Sequence, residues 1–415
     1  MKKKEKYIDI LIFSVLLVLA ACVTFTLFYR QAFDSSETGY HSDMKAYILE
    51  MQGLDSGYSF PYPIFFKLAA LIHLFTGPEM AVALAAMLLN GLAMVVTKVS
   101  LNYFALKPLQ DAFGKWRPAA GGLISVVAVS LFFVSMLYGP PGIYFPGIKF
   151  KYLGVFTANP YHNATYMAAR PFAILAFLWY GKLLGCYEEG FGGRWKNSES
   201  GVDLRDYVLF SVFLLLATMT KPSFTIVLVG AAGLIMVYRM IRTRFRNFLP
   251  TIQLGLCFIP TFADLLYQYK GVFVPVEGEE GGMGFCFGEI WGLYCENIPL
   301  AICLAVGFPL LVLLFNLKEL KTNTLYRFSW QIYLMSFAMA FLLYEKGFRK
   351  PDFNFSWGYM YGIFFAFVGA VIVLLKAAAG KKKPLLLAVQ WLAFGAHVLC
   401  GVLYFAGIFQ GGDYY

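Results

Sequence analysis

One aspartate lies where a carboxylate could do acid–base chemistry. Asp43 begins a short polar segment in which Tyr47 follows one helical turn later, and this segment joins two long apolar stretches. A carboxylate can take a proton from an attacking hydroxyl if it lies within hydrogen-bonding reach. The alternative role is structural, since an aspartate at a helix start accepts hydrogen bonds from free backbone N–H groups. Asp34, Glu37 and Asp55 are further candidates for the base, and Tyr47 and Asp55 are candidate substrate ligands.

Two cations lie beside prolines at the ends of apolar segments, in Arg170-Pro171 and Lys221-Pro222. A cation at the edge of a membrane is costly unless it pairs with an anion or reaches the lipid headgroups. One interpretation is that both side chains extend to the headgroups along their aliphatic stems. The other is that Arg170 and Lys221 bind a phosphate of the substrate, for which a guanidinium is the better bidentate ligand.

Two further segments between apolar stretches are rich in polar residues. His162 and Asn163 end a loop in which Pro and Gly alternate with aromatic residues. For this pair, hydrogen bonding to a substrate and structuring of the loop are equally open roles. The second segment collects cations, amides and acids, and we predict that it binds a lipid phosphate or pyrophosphate. Its members are Arg349, Lys350, Asp352 and Asn354.

The elements that must position these residues lie in a lipid bilayer. Of the 415 residues, 59% are hydrophobic and 14% are charged, whereas a soluble domain carries roughly 25% charged residues. Long apolar runs recur along the whole chain, which predicts one transmembrane domain over residues 1–415. The net charge of +10 does not indicate nucleic acid binding, because the 34 Lys and Arg residues are spread over short loops, as membrane topology requires.

The apolar runs predict an all-α polytopic protein with about eleven transmembrane helices. Basic residues concentrate in alternate loops, so the positive-inside rule predicts a cytoplasmic N-terminus and an exterior C-terminus, in a bacterial cell membrane. A helix break is expected at Lys221-Pro222, because proline lacks the backbone N–H of a helix interior. The predicted helices lie near residues 7–29, 79–104, 119–137, 166–184, 207–220, 222–238, 249–269, 297–316, 327–344, 357–376 and 384–407.

The longest predicted exterior loop covers residues 30–78. Within it Pro61–Phe75 is apolar but only about fifteen residues long, shorter than the roughly 20 residues that a span needs. We therefore predict an interfacial or re-entrant helix, which places the candidate residues named above on the exterior side. If this segment crossed the membrane, the basic loops that follow would lie outside, against the positive-inside rule.

A second short helix is expected to begin at Ser42 or Asp43 and to lie on the membrane surface. Met44, Ile48 and Met51 recur at helical spacing and form an apolar stripe. Tyr47 is then expected on the opposite, polar face of this helix, next to Asp43.

Three features follow one another in this loop. They are a short helix with Ser42-Asp43 and Tyr47, a Gly-rich turn with Gly53 and Gly57, and Pro61-Tyr62-Pro63 leading into an apolar segment. This order resembles the first exterior loop of GT-C type membrane glycosyltransferases, and the resemblance covers residues 1–120. The chain departs from that family at Met44, where a second acid often follows the first, which argues against a paired-carboxylate or metal-dependent version.

The resemblance implies transfer of a sugar from a polyprenyl-phosphate-linked donor to a glycan, lipid or protein acceptor at the exterior face. It assigns Asp43 as the catalytic base, and a GT-C-like fold. No phosphate loop, dinucleotide turn, zinc signature or Asp-x-Asp motif occurs, so we expect no cofactor and no metal. The alternative function is a flippase or transporter of a lipid-linked saccharide, although no clear internal repeat appears. A disulfide between Cys286 and Cys295 is also open.

Overall fold

A computed structural model describes residues 3–36, 39–138, 153–190, 202–272, 282–380 and 384–412. Helices make up nearly all of its regular structure, so the predicted class of an all-α polytopic membrane protein is confirmed. In chain order the α-helices are α1 (Lys3–Phe33), α2 (Met44–Gln52), α3 (Pro63–His73), α4 (Pro78–Leu101), α5 (Lys107–Phe113), α6 (Arg117–Ser130), α7 (Ala164–Gly190), α8 (Leu204–Thr220), α9 (Ser223–Arg242), α10 (Phe248–Leu256), α11 (Ile259–Val272), α12 (Glu289–Gly292), α13 (Ile298–Ala305), α14 (Gly307–Phe315), α15 (Glu319–Thr322), α16 (Thr324–Leu342), α17 (Ser356–Ala379) and α18 (Pro384–Phe409).

Two short strands form the sheet of the described chain, and the sequence did not predict them. β1 (Met283–Phe285) pairs antiparallel with β2 (Leu343–Glu345), and this ribbon brings the start of the α12 segment to the end of α16. Cys286 follows β1 directly. Both Cys286 and Cys295 are free thiols, so the disulfide that the sequence allowed is not present.

Length and apolar composition show which segments could cross a membrane. Among the described residues six segments meet this description, and the number rises to eight if each of two bent helix pairs is one span. These segments establish an integral multi-pass membrane protein, while the number of eleven spans stays a prediction. The six segments are Lys6–Phe33, Pro78–Phe133, Ala164–Tyr187, Ser223–Arg242, Arg349–Ala379 and Pro384–Phe409.

The segment that contains α4, α5 and α6 folds back on itself. Lys98, near the end of α4, donates a hydrogen bond to the carbonyl of Gly121 in α6 at 2.9 Å. The same ammonium contacts Asp9 of α1 at 2.7 Å. Because one side chain reaches both neighbours, α1, α4 and α6 lie side by side and are joined by a buried ion pair.

The helix predicted over residues 297–316 is broken into α13 and α14, which meet at an angle of 73°. His397 of α18 lies against this break. Its Nε2 accepts a hydrogen bond from the backbone N–H of Phe308 at 3.0 Å, and its Nδ1 donates to the carbonyl of Ser135 at 2.7 Å. The imidazole therefore satisfies backbone groups that would otherwise be unpaired inside the bundle.

The two short helices predicted for residues 30–78 are confirmed. α2 begins directly after Asp43 and ends at Gln52, and the next residue, Gly53, caps it with a left-handed φ of 72°. α3 has 11 residues, which corresponds to about 16 Å of helix and is too short to cross a bilayer. The helix break at Lys221-Pro222 is also confirmed, since α8 ends at Thr220 and α9 begins at Ser223.

The orientation predicted for α2 is wrong for Tyr47. Met44 and Tyr47 are both fully buried, whereas Ile48 and Met51 are only partly buried. The Tyr47 ring packs edge-on against other rings at centroid distances of 5.2 to 5.8 Å, namely Phe60, Phe65 and Phe66. Burial of the ring is favourable as long as the hydroxyl finds a polar partner, so packing of the ring decides the orientation of Tyr47.

Candidate functional site

Asp43 occupies the N-cap position of α2, but its carboxylate does not cap the helix. Instead, Oδ2 accepts a hydrogen bond from Nδ2 of Asn163 at 2.7 Å and another from the hydroxyl of Tyr47 at 3.1 Å. The residue is exposed, and Oδ1 accepts no hydrogen bond from any residue that the structure describes. One carboxylate oxygen is therefore held by the protein while the other is open.

Asn163 connects three elements of the fold. It directly precedes α7, and its Oδ1 accepts a hydrogen bond from the backbone N–H of Tyr166 at 3.0 Å, as an N-cap residue does. The same oxygen accepts from Nζ of Lys221 at 3.0 Å and lies 3.0 Å from the hydroxyl of Thr165. Because Asn163 is 2% exposed and its amide contacts protein groups, it organises the site, and its role as a substrate ligand stays a prediction.

Lys221 lies in the turn between α8 and α9 and is 7% exposed. Its ammonium donates hydrogen bonds to Asn163 at 3.0 Å and to Oγ1 of Thr165 at 3.3 Å, and it lies 4.5 Å from the ring centroid of Trp357. These partners are all uncharged. Within the described ranges no carboxylate forms an ion pair with this ammonium, so its positive charge has no direct anionic partner there.

Lys221 and its buried neighbour His162 both have shifted pKa values. Burial, followed by the positive charge of Arg349, lowers the pKa of Lys221 to about 8, and the negative charge of Asp43 opposes this change. Burial, followed by Lys221 and His41, lowers the pKa of His162 to about 3. The imidazole of His162 is therefore neutral near pH 7, whereas the ammonium of Lys221 is mostly charged.

Two hydroxyl groups complete the site, and the sequence did not single them out as site residues. The Thr165 hydroxyl is fully buried and lies 3.1 Å from the hydroxyl of Tyr47. Tyr62, directly before α3, lies close enough to Asp43 and Thr165 that both influence its pKa, which burial raises. The sequence feature that could have identified Thr165 as a site residue is its position two residues after Asn163, at the start of an apolar helix.

Aromatic rings form one wall of the site. Trp357 of α17 is partly exposed, and its ring lies 5.5 Å from that of His162 and 5.9 Å from that of Tyr166. The face of Trp357 also receives the ammonium of Lys221, an attraction between a cation and the negative face of the ring. His162 thus packs against the wall beside Lys221.

Arg170 is fully buried below the site. Its guanidinium donates to Oδ1 of Asn159 at 2.5 Å and to the carbonyl of Ala158. It also lies 4.4 Å from the ring centroid of Phe364. These contacts fix the segment that precedes α7, so Arg170 supports the position of Asn163 and has no open face for the phosphate that the sequence predicted it to bind.

Arg349 lies at the edge of the site, in the 3-10 turn Gly347–Asp352 between β2 and α17. Its Nε is 3.2 Å from Asp352 and 3.5 Å from Glu345. Asn354 donates to the same Glu345 carboxylate at 2.6 Å. Arg349 still lies near enough to lower the pKa of Lys221, but its charge is balanced by its own acidic partners.

Lys350 is also paired, at 2.8 Å from Glu289, and its ammonium lies 5.0 Å from the ring centroid of Tyr344. The structure therefore does not bring the four residues Arg349, Lys350, Asp352 and Asn354 together as a set of free phosphate ligands. Each cation meets a carboxylate from β2, the 3-10 turn or α12, and such exposed pairs contribute little to stability.

The other acids of the first loop lie elsewhere. Asp55 is exposed, and its Oδ1 accepts a hydrogen bond from the backbone N–H of Gly57 at 2.8 Å, which is a turn-forming contact. Asp34 is exposed just after α1, and Glu37 lies outside the described residues. Among the candidate bases, Asp43 is the one that the structure joins to Asn163 and, through it, to Lys221.

The site therefore combines an open carboxylate oxygen, a buried ammonium and an amide that contacts both. Such an arrangement can accept a proton from a hydroxyl and hold an anion at the same time. Among the described residues, no group of three or more His, Cys, Asp and Glu is arranged to hold a metal ion. No family model, no curated protein and no solved structure matches this chain.

Proposed function

We propose that the protein is a membrane glycosyltransferase. It transfers a sugar from a polyprenyl-phosphate-linked donor to a hydroxyl of a glycan, lipid or protein acceptor, and the face of the membrane that carries α2 and α3 is the exterior one. The observation that supports this proposal most is an open carboxylate oxygen on Asp43 that lies one amide away from a buried ammonium on Lys221, which no carboxylate contacts directly among the described residues. The resemblance of residues 1–120 to GT-C enzymes points to the same chemistry.

Each group has one role in the proposed reaction. Oδ1 of Asp43 takes the proton of the acceptor hydroxyl as its oxygen forms a bond to the anomeric carbon. The bond between that carbon and the phosphate oxygen breaks, and its electron pair leaves with the polyprenyl phosphate. Lys221 stabilises the negative charge that grows on this phosphate, because a charge-assisted hydrogen bond is stronger in a site with little water.

The position of Lys221 between the ends of two apolar helices suits a lipid-linked donor. Its phosphate lies at the headgroup level while its prenyl chain stays in the bilayer, so a phosphate ligand is expected in a turn between two apolar helices. Lys221 lies in such a turn. The partly exposed ring of Trp357 next to Lys221 offers an apolar face on which a sugar ring could stack.

The test uses purified protein in liposomes with a panel of polyprenyl-phosphate hexoses, and it measures the release of polyprenyl phosphate. Asp43→Asn should lower this rate by about 100- to 10,000-fold, the usual contribution of a general base. The fold should be retained, because the Asp43 side chain does not cap α2. Asp111→Asn, an exposed change outside the site, is the matched control.

Two outcomes contradict the proposal. If Asp43→Asn releases polyprenyl phosphate as fast as the wild type, Asp43 is not the base. If the wild type releases none from any donor but moves the intact lipid-linked sugar between leaflets, the protein is a carrier. A fluorescent lipid-linked sugar and a reagent that reacts only in the outer leaflet would distinguish these cases.

A further inference from the structure

The two opposite charges of the site do not touch each other. Asp43 and Lys221 each contact the side chain of Asn163, at 2.7 Å and 3.0 Å, but they form no direct ion pair. Oppositely charged groups this close usually gain free energy by direct contact, with short charge-assisted hydrogen bonds. Here the side chain of Asn163 lies between them instead.

The Asn163 amide has the right polarity for both neighbours. Its NH₂ group is a donor and faces the carboxylate of Asp43, and its oxygen is an acceptor and faces the ammonium of Lys221. A side-chain amide offers both kinds of group, whereas a carboxylate offers only acceptors and a hydroxyl is too short to reach both. The backbone N–H of Tyr166 adds a third contact that fixes the amide against α7.

We propose that Asn163 is the positioning residue of this site, which holds Asp43 and Lys221 at a fixed separation and keeps both charges available to substrate. This inference rests on the proposed function for its catalytic consequence. In a direct ion pair with Lys221, the carboxylate of Asp43 would be a weaker base. The ammonium would be occupied before the donor phosphate arrived. With the amide between them, Oδ1 of Asp43 stays open toward the acceptor.

The alternative role for Asn163 is capping of α7 alone, and the substitution Asn163→Asp separates the two roles. Aspartate also caps a helix N-terminus well, so α7 should remain intact. In the wild type, Nδ2 of Asn163 lies 2.7 Å from Oδ2 of Asp43. The substitution replaces this donor nitrogen with a carboxylate oxygen, which is an acceptor. Two carboxylates this close cannot both ionise without repulsion.

The first measurement needs no substrate. A carbodiimide with an amine nucleophile modifies protonated carboxyl groups, and mass spectrometry reports modification of residue 43 as a function of pH. In Asn163→Asp the modification of Asp43 should extend to higher pH by about one unit or more. The matched control is Asn323→Asp, because Asn323 caps α16 by accepting from the backbone N–H of Tyr326 at 3.1 Å. The control should leave the profile of Asp43 unchanged.

The second measurement is the release of polyprenyl phosphate. Asn163→Asp should lower it by about 100-fold, as expected when a reacting group is displaced by about 1 Å. If Asn163→Asp keeps the wild-type modification profile at residue 43, the positioning role is refuted and capping is sufficient. If the profile moves but no variant, including the wild type, releases polyprenyl phosphate, the positioning role stands and the proposed function fails.

Discussion

The buried cluster around Lys98 and the candidate site each bring an acid and a cation close together, and they are built in different ways. At the end of α4, Lys98 contacts Asp9 directly at 2.7 Å. It also donates to the carbonyl of Gly121 at 2.9 Å and to Asn102 at 3.1 Å, and Ser125 donates to Asp9 at 3.2 Å. In the candidate site, by contrast, the amide of Asn163 separates the acid from the cation.

The difference shows which cluster serves stability and which can serve chemistry. In the Asp9–Lys98 cluster each charge is satisfied by protein groups, and both side chains are at most 9% exposed, so neither has capacity for a ligand. In the candidate site Asp43 keeps an open oxygen, and Lys221 meets only uncharged partners. A directly paired cluster joins three helices, whereas the separated pair leaves each charge without a direct ionic partner among the described residues.

The largest effect is expected when the lysine of each cluster is replaced by methionine. Lys98→Met leaves the carboxylate of Asp9 buried without its cation, so the free energy of unfolding should fall by about 3–5 kcal/mol. Lys221→Met should leave stability within about 1 kcal/mol of the wild type, because it removes a buried charge and Oδ1 of Asn163 keeps the N–H of Tyr166 as a donor. Denaturant or thermal unfolding of the purified proteins in one detergent measures both.

If the two methionine variants lose similar stability, the two clusters do not differ in their contribution to the fold. If Lys221→Met keeps wild-type release of polyprenyl phosphate, the ammonium does not act on the donor.

A second prediction concerns pH. Burial lowers the pKa of Lys221 to about 8, so the ammonium loses its proton, and with it the attraction for phosphate, as the pH rises through that value. The KM for the donor should therefore increase above pH 8, by up to about tenfold per pH unit. His162 adds no transition between pH 5 and 9, because its pKa is about 3.

Lys221→Arg is the control for this titration, because a guanidinium keeps its charge throughout the range. Its KM profile should be flat from pH 6 to 10. A flat profile in the wild type would show that Lys221 does not bind the phosphate.

The smallest expected effect comes from removing one hydroxyl at each cluster. Tyr47→Phe keeps the packed ring but removes one of the two donors to Oδ2 of Asp43, so kcat should fall about fivefold, the equivalent of roughly 1 kcal/mol. Ser125→Ala removes a donor to Asp9 and should cost about 1 kcal/mol of stability while kcat stays unchanged. Initial rates and unfolding curves of both variants give the four values. Loss of rate in Ser125→Ala and not in Tyr47→Phe would reverse the assignment of the two clusters.

Much of the fold follows from local sequence. The length of each apolar run gave the polytopic class, and Pro61–Phe75 was recognised as too short to span, as α3 confirms. Pro222 located the break between α8 and α9. These features depend on the neighbouring residues of one segment, through hydrophobic length and the missing N–H of proline, so they can be read without knowledge of the rest of the chain.

Individual side chains were harder to place. Arg170 was predicted to bind phosphate, but the rings around it and the carbonyl of Ala158 enclose it. Arg349 was predicted to bind a lipid phosphate, but the carboxylates of Glu345 and Asp352 pair with it. Tyr47 was assigned to a polar face, but its ring joins an aromatic cluster. In each case the sequence shows the charge or polarity of the residue and not the partner that meets it.

Asp43 shows which features local sequence decides and which depend on tertiary structure. Its position at the start of a short helix followed from local sequence alone, because helix ends are decided by nearby residues. Whether its carboxylate would cap that helix or face a site was decided by Asn163, which is 120 positions away in the chain. Hydrogen bonds between such distant residues form only when the packing of α2, α7 and the α8–α9 turn brings them together, so tertiary structure alone decided that Asp43, Asn163 and Lys221 share one site.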